Sequence, residues 1–225
     1  MTATPGQSPA AASRRPYRSP ARAASAELTR RRIVEAAGRL FVKAGYVATS
    51  VRAIAQEAGV AEKTVYLQFE TKPAILKAVV ESAIVGSDDP APAARSPWFL
   101  EVLAESRPER KVELLSAATS ALHERTGAVF AVAREAATVD PAVAALWTRG
   151  KRGHLSDMTT MAQSFADQGL IPATADTAWL IELLYVLLGP ENWYLIRREL
   201  GRDEQHYTNW LRTSLTQALR DGTRS

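Results

Sequence analysis

The stretch Ser50 to Lys72, SVRAIAQEAGVAEKTVYLQFETK, constrains the chain most, because it reads as two short helices hinged on one glycine. Ser50 is placed to cap a first helix whose Val51, Ile54, Ala55 and Ala58 fall at helical spacing, and Gly59 to end it in the left-handed conformation. A second helix then runs from about Glu62 to Phe69. At 100° per residue Val65 and Phe69 share its inner side, while Lys63 and Leu67 point outward with Thr64 and Tyr66 beside them. That outer face suits DNA: a lysine donates to guanine or phosphate, a leucine meets a thymine methyl, and Tyr and Thr hydroxyls reach phosphate oxygens. The same pattern also fits an ordinary helix–glycine–helix corner with a solvated outer face.

Charge shifts the balance toward DNA. Over residues 1–86 thirteen Lys and Arg stand against six Asp and Glu, whereas over 87–225 the count is fifteen against eighteen. A basic segment joined to a mildly acidic one is the asymmetry expected of a nucleic-acid-binding part beside a part with another task. Residues 1–24 hold Arg14, Arg15, Arg18 and Arg22, with no acidic residue before Glu27 and no apolar periodicity. They are expected to form a disordered basic tail, near DNA phosphates or in a minor groove, or with no specific role. An Arg- and Ser-rich start also suits a transit peptide, but the amphipathic helical pattern is missing. From about Ala26 to Ala44 the stripe Ile33, Ala37, Leu40, Phe41 and Ala44 predicts a helix ended by Gly45. Thr71 caps a fourth helix, with Pro73 in its first turn, that runs to Val85 before Gly86.

With these elements placed, TRRRIVEAAGRLFVKAGYVATSVRAIAQEAGVAEKTVYLQFETKPAILKAVV resembles the DNA-binding domain of the TetR family of bacterial transcriptional regulators, over about residues 26–85. The resemblance is carried by Gly45-Tyr46, Thr49-Ser50, Ile54-Ala55, Ala58-Gly59-Val60, Thr64-Val65-Tyr66, Phe69 and Lys72. It implies phosphate contacts from Thr49, Ser50, Tyr66, Gln68 and Lys72, with Lys63, Thr64 and Leu67 facing base edges. Two departures stand out. Ala61 replaces the Ser that commonly caps the family's recognition helix, and Gln68 stands where His or Tyr is frequent. Glu62 puts an anion at the helix start, which suits the dipole but repels phosphate.

Residues 87–97, SDDPAPAARSP, read as a linker or surface loop. Beyond them the pattern is helical throughout: about Trp98–Glu105, Pro108–Glu124, Ala128–Thr138, Pro141–Gln168, Ala173–Leu188, Pro190–Leu200 and Asp203–Leu219. Breaks are assigned to Gly127, Asp140-Pro141, Gly169 with Pro172, Gly189-Pro190 and Gly201. The fold class is therefore all-α. The division expected is a tail at 1–24, a helix-turn-helix domain at 25–71, and a helical regulatory and dimerisation domain at 72–225, with helix 72–85 linking the two.

Ala178–Leu188 is apolar almost all round and needs cover on two sides, one being the core and the other a partner. The last helix carries a stripe of Tyr207, Trp210, Leu211, Leu215, Ala218 and Leu219 and resembles the family's final dimer helix, so a homodimer interface is expected at Tyr207, Trp210, Leu211, Leu215 and Leu219. The alternative is the core of a single chain. The family's second domain senses ligands, and a pocket is expected around Phe130, Trp147, Met158, Met161, Phe165, Leu184 and Tyr185, with His123, His154 and Arg134 as possible polar anchors. Spacing alone does not separate pocket from core.

Without cysteine there is no disulfide framework, thiolate metal site or cysteine nucleophile. Neither a glycine-rich phosphate loop, a His-Glu-x-x-His nor a serine elbow is present, so no enzyme is expected, and no cofactor or metal. The longest apolar run, Ala178 to Leu188, is too short for a bilayer and holds Glu182. The expectation is a cytoplasmic, ligand-responsive repressor of a palindromic DNA operator, released by an apolar or amphipathic small molecule. A DNA-binding activator or architectural protein without an effector is the alternative, and a small helical enzyme comes last.

Overall fold

The computed structural model describes residues 20–86, 96–171 and 176–221. Ten α-helices occupy them: α1 Pro20–Ala44, α2 Val51–Ala58, α3 Glu62–Phe69, α4 Lys72–Val85, α5 Pro97–Ala104, α6 Pro108–Ala136, α7 Pro141–Asp167, α8 Thr177–Leu187, α9 Pro190–Trp193 and α10 Glu204–Asp221. A π-helical segment, Tyr194–Glu199, continues α9. There is no strand among the described residues, and the fold is all-α. No helix there is long and apolar enough to cross a membrane.

Local signals set most helix ends. The side chains of Ser50, Thr71, Asp140 and Asp176 each accept a backbone N–H at the start of α2, α4, α7 and α8, and the left-handed Gly59 closes α2. Helix α1 begins at Pro20, six residues before the expected Ala26, so residues 20–24 are helical and not tail. An Ala-rich start with proline in its first turn favours this. Residues 1–19, with Arg14, Arg15 and Arg18, lie outside the described residues.

Two cores form. The first joins Ile33, Phe41, Ile54, Val65, Phe69 and Ile75 of α1–α4 to Val129, Val132, Ala133 and Ala136 at the end of α6 and Val143 of α7. The second gathers Phe99, Leu115, Met161, Phe165, Leu184, Tyr207, Leu211 and Leu215 from α5–α8 and α10. Helix α4 packs on α1, α6 and α7, and α10 packs on α6. Lys111, fully buried, donates to the carbonyls of Leu103 and Glu105 and to Gln168 Oε1, tying the end of α5 to the end of α7. Burial pushes its amine down to about 8.

The expected break at Gly127 is absent, and α6 runs straight through it. The glycine serves packing instead. A Cβ there would stand 2.2 Å from Cε3 of Trp193, whose indole N–H donates to Glu124 Oε1 at 2.7 Å; that carboxylate also accepts from Arg197 at 2.6 Å. Gly127→Ala is expected to cost roughly 1–3 kcal/mol through overpacking against a rigid ring. Gly150→Ala in α7, where an added Cβ meets nothing within 4 Å, should instead be neutral or gain up to about 1 kcal/mol from helix propensity. Urea unfolding of the two variants checks the contrast.

Candidate nucleic-acid interface and interior cavity

Helices α2 and α3 meet at Gly59, with Arg32 of α1 donating to the Ala58 carbonyl at 2.6 Å and so holding the corner against α1. On α3, Val65 and Phe69 are buried, as expected, and Lys63, Tyr66 and Leu67 are exposed, Leu67 to 74%. Thr64 and Gln68 are half-buried beside them. The helix starts at Ala61 with no side chain capping its N–H groups, so these donors are left to water or an anion.

Thr49 departs from expectation. It is 3% exposed, and its hydroxyl donates to the Gly45 carbonyl at 2.8 Å and reaches that of Leu40 at 3.3 Å; it closes the end of α1. Ser50 remains exposed while its Oγ caps α2 at Ala53 N. Lys72 lies over the Tyr46 ring, 4.2 Å from its centroid, with Nζ 3.4 Å from the Val47 carbonyl. Burial lowers its pKa, opposed by Asp140.

Tyr46 makes the long-range connection that spacing did not reveal. Its hydroxyl donates to Asp140 Oδ2 at 2.7 Å, while Oδ1 of the same carboxylate accepts the amides of Ala142 and Val143 at the start of α7. These bonds, Tyr46's first, hold Asp140 below the usual carboxylate range. The turn before α2 is thereby tied to the N-terminus of α7.

From the first turn to about the fifth, α7 lines a cavity of about 450 Å³ with Val143, Leu146, Trp147 and Met158. Helix α4 supplies Leu76, Val80 and Ile84, α5 supplies Trp98 and Phe99, and α6 supplies Leu115, Thr119, Leu122, His123 and Phe130. Of the expected pocket residues, Phe130, Trp147 and Met158 line it, with His123 and His154. Met161, Phe165 and Leu184 do not; at most 1% exposed, they are core. Tyr185 packs its ring against His154 outside the wall, and Arg134 stacks over Tyr194. The α4 and α5 contributions were missed although Leu76, Val80 and Ile84 recur at i, i+4, i+8, because periodicity marks an apolar face without telling what it faces.

The dimer stripe also needs correction. Tyr207, Leu211 and Leu215 are 0% exposed within a single chain because α10 lays that face on α6, so they belong to its own core. Trp210 and Leu219 are half-buried at the margin. Apolar surface stays open on α8 among other places: there Trp179 and Val186, seven residues apart and on one face, are 39% and 62% exposed.

The arrangement is that of a helix-turn-helix protein with a cavity-bearing helical second half. Residues 33–79 match the family described as bacterial regulatory proteins, tetR family. A stretch of 52 residues is 40% identical to the HTH-type transcriptional regulator YvkB of Bacillus subtilis; it spans 23% of this chain and only 28% of that relative. Among solved structures, a protein of Mesorhizobium loti described as a TetR-family regulator superposes with a TM-score of 0.66 at 22% identity, over 87% of this chain and 96% of that one. FadR of Bacillus subtilis in complex with stearoyl-CoA gives 0.65 at 18% identity, over 82% and 96%. The first helices thus match the TetR-family model in sequence, and the fold of the described residues as a whole is similar to that of TetR-family structures.

His123 sets a pH dependence. Its Nδ1 and the Tyr207 hydroxyl are 2.8 Å apart, and burial pushes the ring down from 6.5 to about 3. The unfolded chain therefore takes up the proton first as pH falls through 6.5, and the fold loses up to roughly 1.4 kcal/mol per pH unit until the folded value is reached. His154 is pushed down by burial as well and adds to the slope. Urea midpoints at pH 7, 5 and 4 should fall in that order for the native protein, and His123→Gln should flatten the trend.

Proposed function

We propose that this chain is a ligand-responsive transcriptional regulator: a homodimer that reads a palindromic operator through α3, with DNA affinity set by occupancy of the interior cavity. The observation that carries the reading is the double use of α4. Its first residue, Lys72, lies over the Tyr46 ring in the turn before α2, and its Leu76, Val80 and Ile84 form a cavity wall. A ligand that fits only one tilt of α4 changes the orientation of both recognition helices in a dimer, whose half-sites must lie roughly 34–36 Å apart. The Tyr46–Asp140 bond gives the opposite cavity wall, α7, its own hold on the turn before α2. Coupling of this kind is typically about 1–3 kcal/mol, and DNA and ligand then weaken each other equally. Repression follows when the operator overlaps a promoter.

In this reading residues up to about 71 bind DNA, and 72–225 regulate and dimerise. Ser50, Tyr66, Gln68 and Lys72 hold phosphates, and Lys63, Thr64 and Leu67 face bases. Lys63→Ala is expected to relax base preference at one position, costing about 1–3 kcal/mol there, whereas Lys72→Ala weakens every sequence alike and lowers the salt slope. Selection from a random DNA pool with each purified variant checks this; an unchanged motif from the Lys63 variant removes it from base reading, and no DNA binding by the native protein sinks the proposal.

The dimer seam is assigned to the open face of α8, with Trp210 and Leu219 at its border. Val186→Arg adds a charge to a surface that is solvated in the single chain, so the monomer should keep its fold while the dimer, which would bury that charge, dissociates. Sedimentation together with circular dichroism distinguishes this from Leu215→Arg, which strikes the core and should unfold the chain.

A further inference from the structure

The cavity's inner wall carries two polar groups with nothing to bond. Thr119 and His123 lie one turn apart on α6, about 6 Å along its axis, and are 4% and 3% exposed; both line the cavity. Hydroxyls of other helical residues, including Ser116, Thr126, Thr159, Thr160 and Thr216, donate to the carbonyl four residues earlier. Thr119 makes no such bond and has no other partner among the described residues. His123 is held through Nδ1 by Tyr207, which leaves Nε2 without a partner among the described residues. Among the described residues no side-chain N or O wholly sealed from solvent lacks a bond, so both atoms reach open space, and the space they border is the cavity. A helix that buries two unsatisfied polar groups in an aromatic wall leaves them for something to bind.

Charge around the rim does not select a sign. Lys77 pairs with Glu81 and Lys151 with Glu191, which leaves one cation, Arg149, and one carboxylate, Asp157, along the lining. At the inner end only the neutral hydroxyl and imidazole are present, and an ionised group there would be buried without a counter-charge. Trp98, Phe99, Phe130 and Trp147 supply flat apolar walls. Thr119 both donates and accepts, and a neutral ring nitrogen does one or the other according to tautomer. A ligand hydroxyl satisfies either arrangement, whereas a carbonyl satisfies one.

We propose that the cavity takes an uncharged aromatic molecule bearing a hydroxyl group, which bridges Thr119 Oγ1 and His123 Nε2 while its rings lie among Trp98, Phe99, Phe130 and Trp147. This rests on reading the cavity as the ligand site of the regulator and adds the chemical class.

The test uses three probes with one ring system, 4-phenylphenol, biphenyl-4-carboxylate and protonated biphenyl-4-methylamine, titrated into the full-length protein at pH 7 by quenching of tryptophan fluorescence. The phenol should bind at least tenfold tighter than either ion. Thr119→Val, nearly isosteric, and His123→Phe should each weaken the phenol about tenfold and leave unsubstituted biphenyl unchanged, with circular dichroism confirming the fold. Equal or tighter binding of either ion, unaltered phenol binding by Thr119→Val, or no binding of any probe would overturn the assignment. Operator binding by the same preparation is measured separately, so the regulator reading stands or falls on its own result.

Discussion

The unbroken course of α6 is the constraint on which the rest of the structure depends. Its C-terminal third supplies Val129, Val132, Ala133 and Ala136 to the core shared with the first four helices, and its N-terminal third supplies Val112 and Leu115 to the other core. Between them lies a polar stretch. Of the seven buried polar residues among those described, six, from Lys111 to Thr126, are on α6. A helix interior that satisfies its own backbone can carry hydroxyls at little cost when they bond back to the preceding turn, as Ser116 and Thr126 do, while Ser120 accepts from Thr208 of α10. Thr119 and His123 are the places where this self-sufficiency lapses, at the wall of the cavity.

The close packing of α9 on α6 depends in turn on Gly127. In an isolated helix glycine costs stability, and its place in the chain suggests a break; against Trp193 it allows an approach that no other residue permits. The indole held there is fixed by Glu124, which also receives Arg197 from the π-helical segment. One small residue thereby sets how closely α9 lies on α6, and with it the inner boundary of the cavity at Leu188 and Pro190.

Two links join the cavity walls to the turn before α2. One is α4 itself, a single unbroken helix over Lys72–Val85. The other is Asp140, which serves two masters at once, capping α7 with one oxygen and receiving Tyr46 with the other. Lys72 rests on the same Tyr46 ring. A shift of either cavity wall therefore reaches one aromatic side chain at the base of the helix-turn-helix, through contacts of a few ångströms and not through loops.

Much of this was legible in the sequence. The helix-turn-helix, its glycine hinge, the caps at Ser50 and Thr71, and the inward set Val65 and Phe69 follow from spacing and turn chemistry, which act over a few residues. The exposed face of Lys63, Tyr66 and Leu67 followed for the same reason. What spacing did not contain was the identity of the surface opposite each apolar stripe. Leu211 and Leu215 on α10, and Met161 and Phe165 on α7, have the same pattern whether they face a second chain, a ligand or their own core, and only the packing of α6 against α10 and α7 against α8 made them core. Thr49, a hydroxyl beside a basic turn, was decided by two carbonyls at the end of α1. Tyr46 and Asp140, 94 residues apart, became partners only when the chain closed, because hydrogen bonding is selected by distance in space and leaves no period along the sequence.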